Sequence, residues 1–149
     1  MSASNPAQAV MRLRRARLDA AQASLAAART ITRDAEVVRE TRKADERTAD
    51  AATGIARQTL GDDPGHAEVR LALLDRSRFE AALAAERALE AERQLAQARF
   101  DEDLERGRLL RAQARHEALN SHVDGLIRAA AVLAEEREAL DAEPGRKRK

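Results

Sequence analysis

The stretch Leu60-Gly61-Asp62-Asp63-Pro64-Gly65-His66 decides the fold. It reads as a stop followed at once by a start. Gly61 can take the left-handed conformation that closes a helix, Asp63 can cap a following one, and Pro64 suits its first turn, where a missing N–H costs nothing. No comparable interruption lies on either side. Upstream, Asn5-Pro6 reads as N-cap and first helical residue, and Gly54 is the only glycine before Leu60. Downstream, the next proline is in Glu143-Pro144-Gly145. The spacing therefore predicts helix 1 over about residues 6–60, a turn at 61–65, helix 2 over about 66–142, and a disordered basic tail at 143–149. Two long helices joined by so short a turn form an αα-hairpin, here a single domain over residues 1–149.

Composition points the same way. The chain has 149 residues, 27 basic against 26 acidic, with 44% hydrophobic and 36% charged residues. Alanine is the commonest residue, Phe79 and Phe100 are the only aromatics, and there is no Cys, Trp or Tyr. Branched aliphatic and aromatic side chains supply most of the buried area of a globular core, and they are scarce here. Ala, Leu, Arg and Glu are strong helix formers whose excess marks long helices and coiled coils. Without cysteine there is no disulfide framework, redox pair or thiolate metal site. No apolar run approaches the ~20 residues of a membrane span. The first ten residues lack the apolar core of a secretory signal, so a cytoplasmic protein without membrane insertion is expected.

Periodicity supplies a seam for each helix. In helix 1, Leu18, Ala21, Leu25, Ala28, Ile31, Ala35 and Val38 recur at three- and four-residue steps. In helix 2, Leu119, Leu126, Leu133 and Leu140 recur every seven, with Val123 and Ala130 between them, and looser matches occur at Phe79, Leu83, Leu89, Ala96, Phe100, Leu104 and Leu110. Arg39 to Asp50 has no large apolar residue, so the seam there is thin or solvated. Gly107 and the Asn120-to-Gly125 segment are places where helix 2 could kink or break. Folding about residue 63 leaves roughly the last 20 residues of helix 2 overhanging. That overhang still carries the Leu126, Leu133, Leu140 stripe, and an amphipathic stripe without an intramolecular partner needs an external one. The expected fold class is thus all-α: an antiparallel coiled-coil hairpin of two long helices with an overhanging C-terminal end.

Charge is unevenly placed along the chain. Residues 1–33 sum to +5, 34–63 to −3, 64–105 to −4 and 106–149 to +3. Hairpin folding would bring the outer blocks together, giving about +8 at the open end and −7 at the turn. Arg12, Arg14, Arg15 and Arg17 would then lie near Arg106, Arg108, Arg111 and Arg115. Electrostatic steering could orient such a rod between an acidic and a basic partner. The candidate partner interface comprises Arg12, Arg14, Arg15, Arg17, Arg108, Arg111, Arg115, Leu126, Leu133 and Leu140, with Asp62 and Asp63 as a candidate interface at the tip.

Other chemistries find little support. His66, His116 and His122 are too scattered for a metal site, and no phosphate loop or nucleophile elbow is present, so neither an enzyme nor a cofactor is expected. Glu135 and Glu136 read as helix-surface charges with arginine neighbours. Of the 27 basic residues 24 are arginine. Even so, the near-zero net charge and the lack of Tyr or Trp stacking platforms argue against nucleic acid as the partner.

These features together resemble the FliJ/YscO family of type III secretion stalk proteins. The likeness covers essentially the whole cysteine-free hairpin. It includes the basic opening Met11-Arg12-Leu13-Arg14-Arg15-Ala16-Arg17-Leu18, the stretch LALLDRSRFEAALAAERALE from Leu71 to Glu90, and the charged, low-complexity helical remainder. The resemblance implies a non-enzymatic antiparallel coiled coil, similar to the central stalk of rotary ATPases. Such a stalk sits in the pore of a hexameric secretion ATPase, connects it to the export gate and, in some members, engages export chaperones. It would act at the cytoplasmic face of the apparatus, with an injectisome as the closer match. No partner-contact residue is carried over from the family. Two other readings stand beside it: a plain coiled-coil homodimer or scaffold, and a nucleic-acid-associated coiled-coil factor.

Overall fold

The computed structural model describes residues 6–62 and 64–142. It is an all-α helical hairpin. Helix α1 (Pro6–Gln58) leads into a 3-10 turn at Thr59–Gly61, a second 3-10 turn occupies Pro64–His66, and α2 (Ala67–Ala142) follows. There is no strand among the described residues. Pro6 is the first residue of α1, where its fixed φ is pre-organised for a helix. The 76 residues of α2 run without interruption, so neither Gly107 nor the Asn120-to-Gly125 segment ends a helix. A single glycine costs only about 1 kcal/mol against alanine, which many flanking helix formers offset.

The turn is built differently from the expectation. Gly61 is not in the left-handed region. The helix stops by tightening: Asp62, at φ −81° and ψ −24°, donates its N–H to the Thr59 carbonyl at 3.3 Å. Arg70, one turn into α2, donates a guanidinium N–H to that same carbonyl. Two donors on one terminal carbonyl satisfy an acceptor that the end of α1 would otherwise leave open. Consequently α1 ends at Gln58 rather than 60, and α2 starts at Ala67 rather than 66. Asp63, assigned a capping role above, and the tail at 143–149 lie outside the described residues.

The chain divides into two compact units: a turn unit, Ser24–Arg106, and a terminal unit, Met1–Ala23 with Gly107–Lys149. In the turn unit the seam is made largely of small residues. Leu25, Ala28 and Thr32 of α1 are buried, as are Leu74, Ala88, Ala91, Leu95 and Ala98 of α2. Thr32 and Thr53 bind the two helices directly. The Thr32 hydroxyl lies 3.1 Å from the Ala28 carbonyl of its own helix and 3.3 Å from the Ala98 carbonyl of α2. Thr53 repeats this with Ala49 at 3.0 Å and Ser77 at 3.1 Å. A short side chain can reach the opposite backbone only where the helices approach closely, and the alanines permit that approach. Both bridges place the midpoint of the hairpin at residue 65 rather than 63.

The seam also takes a different frame from the one read above. Ile31 is 61% exposed and Val38 44% exposed. Their seam positions belong to Thr32, which is buried, and Arg39, which is half-buried. From Leu25 the buried and half-buried line runs Ala28, Thr32, Ala35, Arg39, Arg42, Glu46, Ala49 and Thr53, in strict three-four alternation. Taking Ile31 would break that alternation with two three-residue steps. In α2, Phe79, Leu89, Phe100 and Leu104 are exposed, as is Ala96, while Leu83 is half-buried. Leu110, in the terminal unit, is 60% exposed.

The stretch with little apolar bulk, Arg39 to Asp50, is closed by long polar side chains lying along the facing helix. Lys43 Nζ reaches Glu92 at 2.7 Å, and the same ladder continues with Glu36–Arg99 at 3.1 Å and Arg29–Glu102 at 3.7 Å. Glu102 is also met by Arg106 at 3.1 Å. The hydrogen bond from Lys43, and then its charge, hold the Glu92 carboxyl below the usual carboxylate range. The ladder joins residues of α1 to residues of α2, so it specifies antiparallel register as well as contributing modest attraction.

Candidate partner interface

The terminal unit is where the arginines and leucines of the candidate interface reside. At its start, α1 turns Met11, Arg14, Leu18 and Ala21 partly inward, and α2 answers with Leu109, Ala112, His116, Leu119 and Val123, all half-buried. No residue of this unit is fully buried among those described. From Asp124 to Ala142 every residue of α2 is exposed. Leu126 is 56% exposed, Leu133 55% and Leu140 73%, with Ile127 at 62% and Val132 at 53%. The seven-residue repeat of α2 therefore continues in phase past the residues that α1 covers.

A shallow apolar groove of about 710 Å³ opens here, lined by Ala7, Gln8, Met11 and Arg12 of α1 and by Val123, Leu126, Ile127 and Ala130 of α2. Its floor is aliphatic, and Arg12 contributes a cation at the rim. Of the arginines in the candidate interface, Arg12 lines the groove. Arg15, Arg17, Arg108, Arg111 and Arg115 are exposed, whereas Arg14 is half-buried on the inward line. Arg15 makes a loose pair with Asp19 at 3.9 Å, and the Arg111 guanidinium folds back over the space beside Gly107. Leu133 and Leu140 lie beyond the groove on the same helix line. The unit is cationic as a whole, with 13 basic residues against 8 acidic ones, while the turn unit has 14 against 18. At the tip, Asp62 is exposed; its candidate companion Asp63 lies outside the described residues.

Four groove residues, Ala7, Gln8, Met11 and Ile127, escaped the reading from sequence. Met11 lies seven residues before Leu18 and fourteen before Leu25, a repeat that a shorter window misses. Ile127 follows Leu126 directly and widens the apolar stripe beyond the two positions per heptad of a simple seam. His116 is half-buried on the inward line with Nδ1 unpartnered, and Asn120 Oδ1 one turn later is also unpartnered. His66 and His122 are exposed. Among the described residues no group of three or more His, Asp or Glu side chains is placed to hold a metal ion. None of the described helices is long and apolar enough to cross a membrane.

Comparison with known proteins places nothing beside this geometry: no family model, no curated protein and no solved structure matches the chain.

Proposed function

We propose that the protein is a non-catalytic stalk or adaptor of a type III secretion system, linking a hexameric secretion ATPase to the export gate and, in its working cycle, meeting export chaperones. One observation carries this reading. The apolar line of α2 persists in phase from Leu126, which edges the groove shared with α1, to Leu133 and Leu140, which are exposed, next to the arginine-rich start of α1. Such a surface gains free energy only when another protein covers it. A helical hairpin with a seam of alanine is narrow enough to enter a ring, and the FliJ/YscO-like opening at Met11–Leu18 supplies the cations for an acidic rim. In this reading the terminal unit enters the ATPase, and the exposed Asp62 belongs to the end that faces the gate or a chaperone.

The test is a pull-down of the cognate secretion ATPase by the full chain. Arg12/Arg14/Arg15/Arg17→Glu is expected to weaken capture steeply and to remove its salt dependence. Leu126/Leu133→Ser is expected to weaken capture without changing that dependence. Undiminished binding by both variants would sink the assignment of this surface, and no capture by the wild-type chain would sink the stalk function itself.

A further inference from the structure

α2 in the turn unit carries a pattern centred on its outward face, which the hairpin uses only at the flanks, through Glu92, Arg99 and Glu102, and which the proposed stalk function does not use. Arg78-Phe79-Glu80-Ala81-Ala82-Leu83 and Arg99-Phe100-Asp101-Glu102-Asp103-Leu104 are two copies of one motif: arginine, phenylalanine, an acid, two further residues and leucine. The copies are 21 residues apart, a whole number of heptads, so the two phenylalanines point in the same direction from the seam, about 31 Å apart at 1.5 Å per residue. They are the only aromatics of the chain, and they are 69% and 58% exposed.

The segment around them is a mirror in charge. Read outward from the Leu89/Glu90 boundary, charges of opposite sign meet at Arg87 and Glu92, Glu86 and Arg93, Glu80 and Arg99, Arg78 and Asp101, and Arg76 and Asp103. Between residues 75 and 104 no step pairs like signs. On the outermost line of the helix the mirror is also one of shape. Phe79 matches Phe100 and Glu86 matches Arg93 about that boundary, while Ala82 matches Ala96 and Leu89 matches itself about a centre half a residue away, at Leu89; every one of these side chains is exposed.

A sequence that is its own complement when reversed fits a second copy of itself laid antiparallel. We infer that this face of α2 is an isologous docking surface for a second copy of this chain, with a two-fold axis beside Leu89. In that arrangement residue i of one copy meets its mirror residue in the other, which is the defining property of a two-fold interface. Leu89 packs on Leu89 at the axis. Alanines flank Glu86–Arg93 ion pairs, and Phe79–Phe100 contacts close both ends. Glu90, beside the axis, has Arg93 of its own helix 3.8 Å away. A different protein on this face would have no reason to require reversed symmetry in both charge and bulk. One helix face of this length falls at the small end of protein interfaces, so the dimer is weak and concentration-dependent. The inference does not rest on the stalk function: it concerns the turn unit, and its tests need no ATPase.

Sedimentation of the full chain across micromolar concentrations is the first measurement, and a monomer–dimer equilibrium is expected. Glu86→Arg alone and Arg93→Glu alone each place like charges in two layers of the dimer and should raise its dissociation constant about tenfold or more. The double variant Glu86→Arg/Arg93→Glu restores opposite charges in every layer and should restore the dimer. These exposed substitutions leave the seam intact, which circular dichroism checks. Because the chain has no cysteine, Leu89→Cys should form a disulfide-linked dimer on oxidation, while Ala72→Cys, exposed on the same helix but off the axis, should not. A monomer at every concentration overturns the inference. So does a dimer that the double variant fails to restore, or one in which Leu89→Cys does not cross-link.

Discussion

In the turn unit, Leu25, Leu74 and Leu95 are at most 5% exposed, while in the terminal unit Leu126, Leu133 and Leu140 lie on the same kind of heptad line and are more than half exposed. The two sets differ neither in residue type nor in period. They differ in how far a facing helix covers them. Burial in a two-helix protein is a property of the pair, because a helix has no interior of its own to hide an apolar stripe. The turn unit uses its leucines for stability. The terminal unit leaves Leu126, Leu133 and Leu140 exposed.

The largest expected effect contrasts single truncations across these regions. Leu95→Ala should cost about 2–3 kcal/mol, the low end of the range for buried leucine because the seam is thin and can partly close. Leu133→Ala should change stability by less than about 0.5 kcal/mol. Chemical denaturation followed by circular dichroism measures both; equal losses would break the comparison.

Enlarging the seam comes next. Ala88 is 2% exposed, so Ala88→Leu must push the helices apart and should cost about 1–3 kcal/mol, whereas Ala131→Leu on the exposed end of α2 should be close to neutral. A neutral Ala88→Leu would show that the seam is looser than its alanines require.

Thr32→Val has a smaller effect. It keeps the volume but removes the hydroxyl that bridges to Ala98, and should cost about 1 kcal/mol. Thr30→Val loses only a bond within its own helix and should cost less. The pair of melting curves isolates the cross-helix share.

The smallest effect is that of pH on Lys43–Glu92. The folded carboxyl titrates below its unfolded value, so its contribution is complete above the unfolded value and fades as pH falls through the folded one. The loss should be slight because both side chains are partly exposed, 34% for Lys43 and 43% for Glu92. Lys43→Met should flatten that part of the acid titration; an unchanged profile would show that Glu92 is not the group responsible.

How much of this was legible in the sequence varies by feature. The turn announced itself because Pro64 lacks an N–H and cannot continue a helix from the preceding turn, and Gly61 is a weak helix former, although Gly61 does not take the left-handed conformation expected of it. The exposed end of α2 was legible for a related reason: once the turn is placed, the unequal helix lengths leave Leu133 and Leu140 past the described end of α1, with Leu126 at its edge. The frame of the seam was not legible. Alanine occurs often enough to satisfy several three-four alternations, and choosing by bulk selects Ile31 and Val38. The close approach of the helices selects instead for a small side chain with a hydroxyl at Thr32 and a flexible one at Arg39. Bulk alone was a misleading guide because, Leu25, Leu74 and Leu95 apart, most of the large apolar residues described are exposed or only half-buried. At the candidate interface, Leu126 could be read from its repeat, but its company with Met11 and Ile127 could not.

By itself the sequence determined the helical state of the chain, the place where it turns, and which part of α2 would find no cover. These follow from backbone preference, turn chemistry and length, all properties of residues taken near one another. Only the tertiary structure decided which stripe of each helix became the seam, the register marked by Thr32 on Ala98 and Thr53 on Ser77, and the outward turn of Phe79 and Phe100. Those choices compare whole helix faces against each other, and small differences in packing and polar satisfaction select among stripes that local sequence leaves nearly equivalent.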